Sequence, residues 1–91
     1  MSIKKLSEMN GRVYVHFANA AQGLDFLRQA EQEGFTFGDG AKPTSRECAY
    51  IIAVNKDNTI NYVGTNGRIA YYGGAKKIGT EKLIRIEYNS E

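Results

Sequence analysis

Several things are scarce in this sequence, and each scarcity removes a class of explanation. A single cysteine excludes an internal disulfide framework. With one histidine beside it, too few soft ligands remain for a structural zinc site. No tryptophan and only one proline occur. No apolar run approaches the ~20 residues that span a bilayer, and no basic-then-apolar leader opens the chain, so no membrane association is expected. Net charge is also small: 12 Lys+Arg against 10 Asp+Glu leave +2, too little to mark a nucleic-acid binder by charge alone.

What is present describes a folded globule. Hydrophobic residues make up 42 % and aromatics 11 % of 91 positions, enough for one small domain. Residues 1–11 read as an N-terminal arm, with Ile3, Leu6 and Met9 spaced by three, and residues 12–91 as the domain. Val13, Val15 and Phe17 alternate with Tyr14 and His16, the period of a half-buried strand.

Asn19 stands at a helix N-cap, with Gln22 at the capping-box spacing. At 100° per residue Ala20, Gly23, Leu24, Phe26, Leu27 and Ala30 fall in one arc. Gly34 fits the left-handed position beyond the helix end, and Phe35 can fold back on Ala30. Gly23 costs roughly 1 kcal/mol against Ala, which points to close approach of the helix to a sheet.

Further strands are expected at Phe35–Phe37, Cys48–Val54, around Ile60 and Tyr62, at Arg68–Tyr72 and around Ile84–Tyr88. Turns fall at Asn55–Asn58 and at Asn66-Gly67, the favoured type I′ pair. The order is β-α-β-β-β-β-β. It predicts an α+β domain in which one helix packs on a curled, mainly antiparallel sheet of five to six strands.

Catalytic signals are weak. His16 projects away from Val15 and Phe17 with no acid at a telling spacing, and reads as an exposed strand histidine. Cys48 reads as a small hydrophobe at the start of a buried strand. HExxH, GxSxG and paired carboxylates are absent, so neither catalytic residues, nor a metal site, nor a cofactor is expected. The glycine loops at Gly38–Pro43 and Gly74–Thr80 lack the third glycine of a dinucleotide loop and the Lys-Ser/Thr of a Walker loop. Glu33–Gly38 lacks the leading basic residue of RNA-recognition aromatic runs, and Phe35 and Phe37 are expected in the core.

The segment Asn61–Lys82 stands out. It carries Tyr62, Tyr71 and Tyr72 beside Arg68, Lys76, Lys77 and Lys82. From Arg68 to Arg85 five basic residues face one acid, Glu81. Tyrosine mixed with arginine offers contact area at low entropic cost. The expected partner-binding residues are therefore Tyr62, Arg68, Tyr71, Tyr72, Lys76 and Lys77.

The stretch Val13–Gly40, with its helix N-A-A-Q-G-L-D-F-L-R-Q-A-E-Q-E-G, aromatic pair and Gly-Asp-Gly loop, resembles small uncharacterised accessory proteins of phages and prophages of Gram-positive bacteria. The closing Leu83–Tyr88 strand is similar too, although those proteins commonly carry a tryptophan that this chain lacks. The resemblance implies a protein of the host cytoplasm that binds a host factor, as anti-CRISPR proteins bind defence nucleases. The function expected is thus a non-catalytic inhibitor or modulator of a host protein. Two alternatives share its residues: a single-stranded nucleic-acid-binding module on the basic tyrosine face, and a protein that sequesters a small phosphorylated ligand between the glycine loops.

Overall fold

The computed structural model describes residues 2–88. The chain runs α1 (Ile3–Ser7), β1 (Arg12–His16), α2 (Ala20–Gln32), β2 (Thr36–Phe37), a short 3₁₀ turn (Pro43–Ser45), β3 (Ile51–Val54), β4 (Thr59–Tyr62), α3 (Thr65–Tyr72), β5 (Lys77–Ile78) and β6 (Glu81–Glu87). Among the described residues the fold is α+β with three helices. Its six strands form an open mixed sheet in the order β2-β4-β3-β1-β6-β5. The β1–β3, β3–β4 and β5–β6 pairs are antiparallel, whereas β1–β6 and β2–β4 are parallel.

The helix α2 forms as its sequence dictates. Asn19 Oδ1 accepts the Gln22 N–H at 2.9 Å, and Gln22 Oε1 accepts the Ala18 N–H at 2.8 Å, so two otherwise orphaned donors are satisfied. At the other end Gly34 takes φ +84°, Phe35 N–H returns to Ala30 O and Gly34 N–H to Glu31 O, a complete Schellman pattern. Its buried side carries Gly23, Phe26, Leu27 and Ala30. Phe26 lies 5.1 Å from the Phe17 ring and 6.0 Å from Tyr88, whose hydroxyl donates to Asp25. Each fully buried Phe or Leu stabilises by roughly 1.5–3 kcal/mol. Gly23 serves close approach, but to Cys48 and not to the sheet: a Cβ there would fall 2.8 Å from that of Cys48.

The N-terminal segment docks on the domain through a short helix. Ile3 and Leu6 of α1 are buried in the same cluster as Val13, Val15, Phe26 and Ile52. The α1 N-terminus is held by the Glu33 carboxylate, which accepts the backbone N–H groups of Ile3 and Lys4.

The largest departure from the sequence expectation is α3. Arg68–Tyr72 is helical, not a strand, and Asn66-Gly67 is its first turn, not a hairpin. A hairpin would need a free edge on β4, and β3 and β2 already occupy both sides of that strand. Gly67 instead lets the helix lie close to the sheet, where a Cβ would meet Val63 Cγ1 at 2.5 Å and Tyr14 Oη at 3.0 Å. The single helix expected to serve a curled sheet is therefore joined by a second cover. α1 and α2 pack on one face, while α3 covers the other through Ala70 and Tyr71 against Tyr14, Ile51, Ala53, Val63 and Leu83.

The strand expected from Cys48 begins only at Ile51, although β3 is central as its two-sided apolar pattern required. The turn at Asn55–Asn58 forms as expected, with Asn58 at φ +65°.

Candidate interaction surface

Three large apolar side chains stand most exposed on or beside α3, ahead of Leu24 and Tyr62 on the α2 side. Ile69 and Tyr72 are 66 % and 63 % exposed, and Tyr50, on the segment entering β3, is 67 % exposed. Tyr50, Arg68 and Tyr72 rim a groove of about 290 Å³ whose lining includes the buried Ile51 and Val63.

Beneath this surface α3 is fixed by polar groups from the sheet. The Arg85 guanidinium donates to Ala70 O and Tyr71 O at 3.1 Å and lies 5.3 Å over the Tyr71 ring. That places a cation at the helix C-terminus, where it complements the macrodipole. Gly74 at φ +78° completes the helix end, with Ala75 N–H returning to Ala70 O.

His16, at the end of β1, is not idle. Its Nδ1 lies 2.7 and 3.0 Å from the Glu87 carboxylate oxygens. A carboxylate only accepts, so Nδ1 is the donor in this contact. Its ring stacks on Tyr71 at 5.8 Å and 21°, and meets the edge of Tyr72 at 6.1 Å. Burial, with help from Glu87 and Tyr72 and against the pull of Arg85, raises the Tyr71 phenol pKa. Tyr71 therefore presents an uncharged hydroxyl at neutral pH.

The six residues expected at a binding surface divide between the two faces of the sheet. Arg68, Tyr71 and Tyr72 lie on α3, and Lys76 stands opposite Leu83 on the same face. Tyr62 stands opposite Ile52 on the α2 face. Its ring lies 5.4 Å from Phe37 and its hydroxyl donates to Glu47 O. Lys77 pairs across the strand with Lys82, two residues from Ile84, and so faces the α2 side as well. Tyr50 and Ile69 are not legible in the sequence because both fall in segments with a strand pattern, and the anchoring of α3 by His16, Arg85 and Glu87 is hidden because the helix itself is not legible.

The two glycine loops sit at opposite ends of the sheet, one beside β2 and the other beside β5. In the first, Arg46 pairs with Asp39 and covers the Phe37 ring at 4.7 Å. In the second, Gly73 and Gly74 end α3. One chain therefore does not close both loops around a single ligand. Phe35 and Phe37 are buried in the core, as expected.

Burial pushes the Cys48 thiol up to about 12, which keeps it protonated. Among the described residues no three His, Cys, Asp or Glu side chains gather in a metal-binding group. No described helix is long and apolar enough to cross a membrane. The chain matches no protein-family model, no curated protein and no solved structure.

Proposed function

We propose that this chain is a non-catalytic binding protein that engages a protein partner through the α3 face. The observation that supports it most is the joint exposure of Tyr50, Ile69 and Tyr72 beside Arg68. Tyr and Arg dominate binding hot spots because they combine area, low entropy loss and a polar handle. The register of the β5–β6 hairpin weighs against a nucleic-acid surface. Tracking a phosphate backbone calls for a series of cations on one side, and Lys77 and Lys82 face away from Arg68 and Lys76. The likeness to phage accessory proteins extends the proposal: the partner is a host protein such as a defence nuclease, met in the host cytoplasm, which the chain inhibits or modulates.

Site-specific photocrosslinking in host cells tests the proposal. Benzoylphenylalanine placed at Ile69 should give a protease-sensitive adduct that weakens when Tyr72→Ala is added. The same probe at Arg28, exposed on α2, should give none. A nuclease-sensitive adduct, or equal adducts at both positions, would overturn the assignment.

A further inference from the structure

The groove beside α3 has a chemistry that narrows its occupant. Its base is apolar, with buried Ile51 and Val63, and its rim holds the exposed rings of Tyr50 and Tyr72. At about 290 Å³ it falls just below the roughly 300–1,000 Å³ of small-molecule pockets and matches one apolar side chain better than a whole ligand.

The charge at its edge has one sign. Arg68 is exposed and, among the described residues, no carboxylate pairs with it or with Lys76 on the same face. Among the described residues, two acids that β6 presents to this face are engaged: Glu87 with His16, and Glu81 with Arg12 at 3.8 Å. A guanidinium next to an apolar slot, with those two acids already committed, is complementary to a carboxylate that follows an apolar anchor.

Building on the protein-binding reading above, we propose that the groove between Tyr50, Arg68 and Tyr72 seats an acidic linear segment of the partner, with one aromatic or large aliphatic side chain inserted and a flanking Asp or Glu on Arg68. The aromatic rim excludes water from that pair, which strengthens it and makes it selective. Lys76 adds long-range attraction without needing direct contact.

The test is an NMR titration of the ¹⁵N-labelled full chain with three probes. The first is an acetylated, amidated peptide carrying one phenylalanine between two aspartates on each side. The second replaces every aspartate by asparagine, and the third is an eight-nucleotide oligothymidylate. The acidic peptide should move the amides of Ile51, Val63, Arg68 and Tyr72, and bind at least tenfold more tightly than the asparagine peptide. Arg68→Ala should remove that preference, whereas Arg28→Ala, a charge-matched change on α2, should retain it. Equal binding of the two peptides, shifts centred elsewhere, tighter binding of the oligonucleotide or no binding at all would each overturn the inference. A site-dependent protein crosslink at Ile69 alongside such a result would leave the broader reading intact, so the two failures are distinguishable.

Discussion

The Glu33 carboxylate, at the C-terminal end of α2, accepts the backbone N–H of Ile3 at 2.9 Å and so ties the start of the chain to its principal helix. Lys4 N–H, the Ser2 hydroxyl and the Gln29 amide donate to the same carboxylate. One acid thus supplies acceptors for two of the otherwise unsatisfied donors in the first turn of α1.

That arrangement has a pH signature. Burial raises the Glu33 pKa, but hydrogen bonds from Gln29, Ile3, Lys4 and Ser2 outweigh it and hold the carboxyl below its usual 4.5. A depressed folded-state value means that the stabilisation is complete above the unfolded pKa and is lost as pH falls through the folded one. Urea midpoints measured from pH 6 to pH 3 should therefore fall, and Glu33→Gln should flatten part of that fall while costing about 1 kcal/mol at pH 6. Parallel curves for the two proteins would show that the Glu33 bonds contribute nothing.

Gly23 and Cys48 form a contact that tolerates no added atom. Gly23→Ala gains helix propensity of roughly 1 kcal/mol, yet its new Cβ would lie 2.8 Å from Cys48 Cβ and 2.9 Å from Sγ. Overpacking of this kind costs about 1–3 kcal/mol, so the variant should be less stable by chemical denaturation. Cys48→Gly removes both clashing atoms. In that background Gly23→Ala should be neutral or stabilising, and a double-mutant cycle without coupling would refute the contact.

The Cys48 thiol, pushed up to about 12, should react slowly with a disulfide reagent at pH 8. The thiolate fraction is then on the order of one in ten thousand, against about a quarter for an ordinary cysteine. Labelling should be slow in buffer and fast in denaturing urea. Rapid native labelling would mean that the segment from Thr44 to Tyr50 opens readily.

His16→Ala should loosen α3 more than the sheet beneath it. The ring stacks on Tyr71, while the β1 backbone pairings do not depend on it. A loss of about 1 kcal/mol in stability is expected, with faster amide exchange concentrated in Thr65–Tyr72. Unchanged exchange in α3 would assign the stack no positioning role.

Local signals are legible where they settle local structure. Asn19, Gln22 and Gly34 define α2 because cap donors and a left-handed residue are needed within a few positions of each end. The β3–β4 hairpin follows from its own turn. α3 is hidden because Asn66-Gly67 and the tyrosine pair favour a hairpin locally, whereas the outcome depends on β2 taking the far edge of β4, a pairing distant in sequence. The same limit hid part of the surface. Arg68 and Tyr72 were legible by residue type, but whether Tyr50 and Ile69 point outward depends on the second face having a helix over it.

The parallel pairing of β1 with β6 carries a consequence for how the molecule is made. His16 and Glu87 are 71 positions apart, so their ladder cannot form until a nascent chain has emerged nearly to Tyr88. Closing a segment of that length costs about 4 kcal/mol in chain entropy, against about 1.5 for the Asn55–Asn58 turn. The β3–β4 hairpin can therefore assemble early on the ribosome, while one flank of β1 stays bare until the residues of β6 have emerged. That interval is when the chain is most open to mispairing with a neighbour.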